Sequence, residues 1–397
     1  MTPATPDTIR TDTDFIARLT AIRHDIHRHP ETAFEEIRTS GIVAAFLEGL
    51  GIAVHRGLGG TGVVGTLRGK RPGTRTIGLR ADMDALFIEE ATGLPHASTV
   101  PGRMHACGHD GHTTMLLGAA EKLAADPDFA GTVHFIFQPA EEGLGGARVM
   151  INDGLFDLFP CDAVYGLHNG PQHPLGHLQT RPGPFMPAGD TWEVIFEGSG
   201  GHGAMPHAGS DPTVPAGQFI ATLAQIISRK VPANDAAVIS VGHIAAGSYD
   251  SPNIIPARVT VRGTARSFRP GIRDLLEDSL GSFASHCAAP HGVTARLIYT
   301  RRYPPLINSA RETATAIAVA TRVLGADHVD GAAPPVGGSE DFSFMLEKVP
   351  GAYVMIGNGD GPGAAFVHTP RYDFNDALLP IGIAYWLGLV AAELGGD

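Results

Sequence analysis

Residues 104–112 read Met-His-Ala-Cys-Gly-His-Asp-Gly-His and hold three histidines, a cysteine and an aspartate within nine positions. A thiolate with neighbouring imidazoles is a donor set for a borderline transition metal. The same groups also suit a nucleophilic cysteine with a nearby base. A third interpretation is that Cys107 is a small buried residue, the commoner role of a lone cysteine. The nine residues alone leave all three interpretations open.

Acidic and imidazole side chains recur after the predicted strands. They are Asp82 and Asp84 after 76–79, Glu141 and Glu142 after 132–137, His168 after 163–167, and His368 after 353–356. Ligands of α/β sheets bind at the carboxyl ends of the strands, so these side chains are expected to converge. A nucleophilic cysteine requires a nearby base and an oxyanion hole. Carboxylates, in contrast, raise the pKa of a nearby thiol unless a cation lies between them. The acids therefore favour a metal site around Cys107 and His109.

The adjacent acids Glu141 and Glu142 suggest two different roles, one as a metal ligand and one as a base. If their segment is extended, neighbouring side chains point in opposite directions. One carboxylate would then bind metal while the other faces the substrate as the base that metal-assisted hydrolysis needs. An acidic pair on the surface is the alternative, but the position between an apolar run and Gly143 favours function.

Other chemically capable residues are given structural roles. The histidines of the first predicted helix, His24, His27 and His29, are expected to be solvated. His112 is left open between a partner of a metal ligand and a polar filler. Cys161 and Cys287 are expected to be small buried residues.

The elements that must position these residues predict an α/β fold. One helical region covers 14–50, another helix covers 111–125, and short apolar runs between helices indicate a mainly parallel sheet. From about residue 184 the order becomes β-α-β-β-α-β, which is ferredoxin-like, and after Tyr303 the α/β pattern returns. We therefore expect a discontinuous catalytic domain of residues 1–183 and 302–397, interrupted by an inserted domain of residues 184–301.

Composition excludes several classes of partner. The 397 residues exceed what one hydrophobic core usually supports, in agreement with two domains. The formal net charge, 29 − 41 = −12, argues against nucleic acid and anionic membranes. Three cysteines make no disulfide framework, and the polar N-terminal residues lack a signal peptide's apolar core, so we expect a cytoplasmic protein. The apolar stretch 377–394 is predicted to be a buried helix because its uncharged run is too short for a bilayer.

Taken together, the motifs make the chain resemble the co-catalytic metallopeptidase family. The resemblance is to its amidohydrolase branch, which contains hippurate hydrolases, N-acyl-amino-acid amidohydrolases and auxin-conjugate hydrolases. The matching segments are RADMDAL (80–86), HACGHDGHTTMLLGAA (105–120), FQPAEEG (137–143), GLHN (166–169), GGHGAMPH (200–207), GSEDFS (338–343) and VHTP (367–370). One departure is Phe87-Ile88, where family members commonly have Leu-Pro-Ile after the first motif, so the loop after Asp84 is expected to differ.

The resemblance implies a dimetal centre in the catalytic domain. Its ligands would be Cys107, His109, Glu142, His168 and His368, with Cys107 bridging two divalent ions. Zinc is the first expectation, and manganese, cobalt and nickel stay open. Glu141 would be the general base, and Asp84 would support the site by holding a ligand or loop in place.

The resemblance also implies that the inserted domain is a lid and dimerisation domain. His202 would reach the partner subunit's active site and stabilise the oxyanion. Asn253 and Arg266 would hold the substrate's carboxylate, to which a guanidinium group is well matched. A homodimer or higher homo-oligomer follows from the same resemblance.

The predicted activity is metal-dependent hydrolysis of an N-acyl amino acid, with an N-acetyl or N-benzoyl group, to a free amino acid and a carboxylic acid. A dipeptidase, or a deacetylase of an N-acetylated biosynthetic intermediate, is the alternative. A non-enzymatic metal- or ligand-binding protein would lack a base or a ligand. A hydrolase with a cysteine nucleophile would survive chelators and be inactivated by thiol alkylation.

Overall fold

The computed structural model describes residues 5–171, 173–360 and 364–395, and the chain divides into two compact units. The first unit comprises Met1–Phe185, Ile307–Pro335 and Asp341–Asp397, and the second comprises Met186–Leu306 and Val336–Glu340. The second unit is thus also discontinuous in sequence. Besides its main stretch it includes the short segment Val336–Glu340, which lies beyond the expected boundary at 301.

The helices and strands of the described residues follow in chain order. The helices are α1 (Pro6–Arg10), α2 (Thr13–Arg28), α3 (Ile37–Gly49), α4 (His109–Ala125), α5 (Gly146–Asn152), α6 (Leu155–Leu158), α7 (Thr213–Lys230), α8 (Pro270–Ala288), α9 (Ala310–Leu324), α10 (Ser343–Leu346) and α11 (Leu379–Leu394). The strands are β1 (Ala53–Leu58), β2 (Gly62–Arg68), β3 (Arg71–Asp82), β4 (Ala130–Gln138), β5 (Ala163–Gly170), β6 (Leu178–Gln179), β7 (Gly183–Met186), β8 (Ala188–Glu197), β9 (Gly201–His202), β10 (Ala237–Ala246), β11 (Ile254–Ile255), β12 (Arg258–Ser267), β13 (Thr294–Tyr303), β14 (Leu306–Asn308), β15 (Val329–Asp330) and β16 (Gly351–Gly357).

The first unit is built on a large mixed sheet, which confirms the predicted α/β class. Its order over the described residues is β1-β2-β4-β3-β5-β16-β6-β15. The central neighbours β4, β3, β5 and β16 are parallel, whereas β1, β2 and β6 pair antiparallel with their inner neighbours. The central strands are almost continuously buried, as expected for parallel strands covered on both faces.

The helical region predicted for 14–50 is divided in the structure into two helices, α2 and α3. Pro30 follows α2, and proline disfavours helical backbone at the residue before it. The chain then restarts as α3 with help from Glu31, whose carboxylate accepts hydrogen bonds from the amides of Arg38 and Thr39, each at 2.8 Å. This borrowed cap satisfies amides that the first turn of a helix leaves free.

The core of the first unit lies between the sheet and the helices α4, α9 and α11. Helices α4 and α9 both pack on α11, and α4 also contacts β3. The segment Asp376–Leu394 has a mean hydropathy of 1.7, which is apolar enough for a membrane span by composition, and 83% of its window is buried in the protein. The prediction of a buried C-terminal helix agrees with this burial.

The second unit has the predicted order β8-α7-β10-β12-α8-β13. Within the described residues its main sheet runs β10-β12-β8-β13 with antiparallel neighbours, and α7 and α8 pack on it and on each other. Its own core is centred on Trp192, Phe196, Phe219 and Leu276, which are all buried. The short strands β9 and β11 pair beside the main sheet and were not predicted.

Candidate metal centre

The order of the central strands brings the predicted donors to one edge of the sheet. Strands β4, β3 and β5 are parallel neighbours, so their carboxyl ends lie side by side. Asp82 ends β3, Glu141 follows β4 by three residues, and His168 lies near the end of β5. His109 begins α4, two residues after Cys107. The edge therefore collects donors from separate parts of the chain.

The five residues expected as metal ligands form two overlapping groups. Cys107, His109 and His168 make one group, and Cys107, Glu142 and His368 make the other, with the donor atoms of each group within 4.8 Å of one another. The Sγ atom of Cys107 lies 3.3 Å from Nε2 of His168, and Nε2 of His368 lies 3.0 Å from Oε1 of Glu142. Cys107 is the member that the two groups share.

Two of the histidines are oriented by hydrogen bonds at Nδ1. Nδ1 of His109 lies 2.9 Å from the carbonyl oxygen of Asp84, and Nδ1 of His168 lies 2.7 Å from the carbonyl oxygen of Asn169. Each Nδ1 must therefore carry a proton to donate, so Nε2 is the ring nitrogen of each that could bind a metal. Nε2 of His109 is buried and makes no well-formed hydrogen bond in the described part of the chain.

The segment of Glu141 and Glu142 is a turn, so the extended backbone on which their opposite orientation depends is not present. The amide of Gly143 donates to the carbonyl oxygen of Glu141 at 2.8 Å, and no strand includes these residues in the described chain. One carboxylate oxygen from each acid and a ring nitrogen of His109 lie within 4.8 Å of one another. The two carboxylates therefore stand side by side, and Glu141 is buried, with 6% of its surface exposed.

Asp84 contacts two of the predicted ligand residues at once. Its Oδ1 lies 3.2 Å from Nδ1 of His109, and its Oδ2 accepts a hydrogen bond of 2.9 Å from the amide of Glu142. The carboxylate is almost wholly buried, so both contacts form in an environment that strengthens them. One side chain thus fixes a ring on α4 against a loop that follows β4.

Gly108 lets α4 start close to β5. It is the N-cap of α4, and its φ of 104° is a conformation that side-chain-bearing residues rarely adopt. A Cβ atom at this position would lie 2.2 Å from Oδ1 of Asn169 and 2.6 Å from the hydroxyl of Tyr372. The glycine therefore allows Cys107 and His109 to approach His168.

His112 is neither filler nor exposed, but links a second row of buried groups. Its Nδ1 lies 2.6 Å from Oδ1 of Asp82, and its Nε2 lies 2.7 Å from Oδ1 of Asn169. The amide group of Asn169 in turn donates to the hydroxyl of Tyr372 at 2.6 Å. Tyr372 gave no signal in the sequence, whereas His112 could be found from its position one helical turn after His109.

Sequence reasoning also missed a buried ionic group behind the site. Arg80 is fully buried and donates to Asp82 at 2.8 Å, to Gln138 at 2.8 Å and to Asp341 at 3.1 Å. Asp341 also accepts from the amide of Ala147 at 2.9 Å. The matched segment 338–343 pointed to Asp341 without giving it a role. This group ties β3, β4 and α5 together.

The charges of the cluster are poorly balanced by protein groups alone. Burial and the nearby Glu142 carboxylate raise the pKa of the Cys107 thiol. Hydrogen bonds to Cys107 and Glu142 raise the pKa of His368 to about 10. A divalent cation would stabilise the thiolate and release that proton, because ligands bind metals in deprotonated form. Sulfur, imidazole and carboxylate donors at these separations, with a buried Nε2 atom of His109 that has no well-formed hydrogen bond to the described residues, fit such an ion.

The expectation that the histidines of the first helix are solvated is wrong for His27. His27 is fully buried, with Nδ1 at 2.8 Å from Oδ2 of Asp110, whereas His24 and His29 keep 32% and 37% of their side chains exposed. Arg23, one turn earlier, is also buried and contacts Asp110 and Asp373. Because α2 packs on α4, its inner face meets charged groups and not only apolar ones.

The residues predicted in the inserted segment all lie in the second unit. His202 on β9 pairs with Ile254 on β11, and the amide of Gly203 donates to the carbonyl of Asn253 at 2.8 Å, so His202 and Asn253 are neighbours. Both side chains are exposed. Arg266 is half-buried on β12, where its guanidinium donates to the carbonyl of Ala265 at 3.0 Å.

A mainly parallel sheet that carries this donor cluster and a buried glutamate at its carboxyl edge is the arrangement of a metal-binding hydrolase. The chain belongs to the Peptidase family M20/M25/M40, which matches residues 78–392. This confirms the resemblance seen in the motifs, and the protein is a hydrolase acting on amide bonds.

Three relatives illustrate the match. A hippurate hydrolase from Campylobacter jejuni is 38% identical over 373 residues, covering 94% of this chain and 96% of that protein. An N-acetylcysteine deacetylase from Bacillus subtilis is 35% identical over 385 residues, covering 96% of this chain and 98% of that protein. The crystal structure of a dinuclear metal binding peptidase of the M20 family from Bacillus subtilis matches with a TM-score of 0.85 and 33% identity, covering 97% of this chain and all of that one.

Proposed function

We propose that this amidohydrolase cleaves the amide bond of N-acetyl or N-benzoyl amino acids and releases a free amino acid and a carboxylic acid. The observation that carries the proposal is the pair of donor groups sharing Cys107, with the carboxylate of Glu141 beside them. The names of the relatives, hippurate hydrolase and N-acetylcysteine deacetylase, support this substrate class. A dipeptide, or an N-acetylated biosynthetic intermediate, is the alternative substrate.

The donor set supports two divalent ions held by Cys107, His109, Glu142, His168 and His368, with Cys107 shared between them. Zinc is the first candidate, because thiolate and imidazole donors favour it, and manganese, cobalt and nickel remain alternatives. When bound, such ions would polarise the scissile carbonyl and lower the pKa of the attacking water.

Glu141 is proposed as the general base and acid. Its buried carboxylate takes a proton from the attacking water and later delivers it to the nitrogen of the leaving amine. Its neighbour Glu142 is committed to the donor group, so the two acids have separate tasks although they stand side by side. Asp84 keeps the ring of His109 and the amide of Glu142 in place throughout.

The second unit is proposed to act as a lid and to supply the groups that hold the substrate. His202 would donate a hydrogen bond to the developing oxyanion in the partner subunit's active site, which makes a homodimer the proposed assembly. Asn253 and Arg266 would hold the substrate's carboxylate. The exposed positions of His202 on β9 and of Asn253 just before β11 support this role, since both side chains are accessible to a ligand.

A cytoplasmic location is proposed on the chemistry of the cysteines. Cys107, Cys161 and Cys287 are all free thiols. A reducing compartment keeps Cys107 available as a thiolate donor.

The test is release of a free amino acid from N-benzoylglycine, N-acetylphenylalanine, N-acetylmethionine and a dipeptide. We expect turnover of at least one N-acyl substrate with added zinc or manganese, loss of turnover after chelation, and recovery when metal is returned. The Glu141→Ala variant should bind metal and be inactive. Glu121→Ala, which removes a carboxylate on the outer side of α4, is the matched control and should keep full activity.

Other outcomes would contradict the proposal. Turnover that survives chelation but is abolished by thiol alkylation would favour Cys107 as a nucleophile. A folded, metal-loaded protein that cleaves only the dipeptide would favour the dipeptidase alternative. A protein that binds metal and cleaves none of the four would lose its assignment to this substrate class.

A further inference from the structure

Two residues with strained backbone share one hydrogen-bond acceptor. Among the described residues, three non-glycine residues have left-handed φ values: Phe34 at 64°, Ala140 at 52° and His368 at 62°. The amides of Phe34 and Ala140 both donate to Oε1 of Glu36, each at 3.0 Å. Strained conformations of this kind persist only where the surroundings hold them, and they cluster at functional sites.

The Glu36 side chain is committed to this contact and does not cap its own helix. It occupies the N-cap position of α3 but makes no capping hydrogen bond, because Glu31 caps the helix instead. Its side chain is fully buried, and its second oxygen, Oε2, accepts a hydrogen bond of 2.7 Å from the hydroxyl of Thr61. A buried carboxylate is costly unless its oxygens are satisfied, so these donors determine where it sits.

Ala140 is the residue on which the orientation of the acidic pair depends. It directly precedes Glu141, and its carbonyl accepts from the amide of Gly146 at 2.9 Å, which closes the loop that contains both acids. With its amide held by Glu36 and its carbonyl held by Gly146, the peptide planes on both sides of Ala140 are fixed. Any rotation there would swing Glu141 and Glu142 together.

We propose that Glu36 is a positioning residue that holds the strained turn at Ala140 and so aims Glu141 at the substrate and Glu142 at the donor group. This inference rests on the proposed roles of Glu141 and Glu142. The Glu36 carboxylate accepts hydrogen bonds from Phe34, Thr61 and Ala140, so its proposed effect on the two acids runs through the backbone of Ala140.

The experiment compares three variants at position 36. Glu36→Ala removes the acceptor, and Glu36→Asp withdraws it by one methylene while keeping the carboxyl group. Glu36→Gln keeps an oxygen that can accept from both amides. For the Ala and Asp variants we expect kcat to fall by about 10- to 100-fold with KM within about threefold, because small misplacements of catalytic groups have effects of this size. The Gln variant should recover kcat to within about threefold of the wild type.

Two matched controls separate positioning from general loss of structure. Glu35→Gln changes an exposed acid next to Glu36 and should leave kcat unchanged. Glu31→Gln weakens the cap of α3 without touching Ala140, so it should lower the melting temperature and leave kcat nearly intact. If Glu31→Gln and Glu36→Asp lose stability and kcat in parallel, Glu36 is only a structural residue and the proposal is overturned.

A second readout does not depend on turnover. In the cobalt-loaded protein, Glu36→Asp should shift the visible absorption bands and weaken cobalt binding by about fivefold or more, because Glu142 is displaced. Unchanged kcat together with an unchanged cobalt spectrum would overturn the proposal. If the wild type cleaves none of the substrates, the proposed function fails, and the cobalt spectra alone still decide whether Glu36 orients the loop.

Discussion

At the scale of single residues, the thiol of Cys107 shows how strongly the site depends on a cation. Burial and Glu142 hold the pKa of this thiol above its ordinary value, so protein groups alone keep it protonated. Next to it, His109 presents a buried Nε2 atom without a well-formed hydrogen bond in the described chain. Both features are unfavourable in an isolated protein and favourable around a bound ion.

Replacing Cys107 by serine should therefore cause loss of metal from the candidate centre. A serine hydroxyl is a far poorer donor than a thiolate, so we expect Cys107→Ser to lose one or both ions and at least about 100-fold in kcat/KM. Metal content measured by elemental analysis after dialysis checks this. Cys161→Ser is the control, because Cys161 is a free thiol away from the donor groups, and it should retain its metal. Full metal content in the Cys107→Ser variant would show that Cys107 is not the shared metal ligand that we propose.

Asp84 should matter for metal affinity without being a ligand in either donor group. In Asp84→Asn, one of the two oxygens that face His109 and the amide of Glu142 becomes an amide nitrogen. We expect metal affinity to fall about 10- to 100-fold, the usual effect of losing a partner of a ligand. Competition titration with a chromophoric chelator measures it, with the exposed Asp126→Asn as control. An unchanged affinity would mean that the loop and α4 hold the ligands without Asp84.

At the scale of elements, the contact between α2 and α4 contains a titrating pair. Burial lowers the pKa of His27, but its hydrogen bonds with Asp110 and Glu90 outweigh this and raise the pKa to about 9. A histidine with a raised folded-state pKa contributes stability that is complete below its unfolded pKa of about 6.5. That stability is lost as the pH rises through 9.

The His27→Gln variant should make the free energy of unfolding less dependent on pH in this range. Between pH 6.5 and 9, we expect the free energy of unfolding of the wild type to fall by up to about 3 kcal/mol more than that of the variant. Denaturant titrations in the presence of chelator, at several pH values, measure the difference. His29→Gln, a half-exposed histidine on the same helix, should behave like the wild type. Parallel pH profiles for the two variants would show that the His27 contact does not titrate in this range.

The elements also show how far the sequence could predict the site. Cys107 and His109 lie two residues apart, so their pairing is visible in the sequence and needs no tertiary information. Tyr372 reaches Asn169 across a separation of 203 residues, and nothing in its own surroundings indicates that contact. His27 was misjudged for the same reason, since its buried partner Asp110 belongs to another helix.

The sequence did not predict the turn at Glu141, and the physical reason is a different one. The apolar run 132–137 predicts β4, and opposite orientations of Glu141 and Glu142 follow only if the extended backbone continues as far as these two residues. The structure ends the strand at Gln138 and places Ala140 in a left-handed conformation, which single-residue propensities disfavour. The buried acceptor Glu36, more than a hundred positions earlier, and the amide of Gly146 hold the backbone of Ala140 in that conformation. Local pattern therefore predicts the strand correctly and the geometry beyond it wrongly.

At the scale of the whole molecule, the two units divide the proposed work between chemistry and recognition. If Arg266 of the second unit holds the substrate's carboxylate, Arg266→Ala should raise KM by about tenfold or more for N-acyl amino acids, since a charge-assisted pair is lost. For an N-acyl amino acid amide, which lacks the carboxylate, the KM of the same variant should stay close to that of the wild type. Steady-state kinetics on both substrates measure this, with Arg262→Ala on the same strand as control. Equal losses on both substrates would assign Arg266 a purely structural role.

The order of the donors along the chain has a consequence for biosynthesis. Cys107, His109, Glu142 and His168 are made before the second unit, whereas His368 is made after it. A ribosome must therefore translate the entire second unit before the last donor leaves the exit tunnel. Until then the nascent chain contains the group of Cys107, His109 and His168 but lacks His368 of the other group, so an ion captured there would be held by fewer ligands. The complete set of proposed ligands therefore exists only after translation has passed His368.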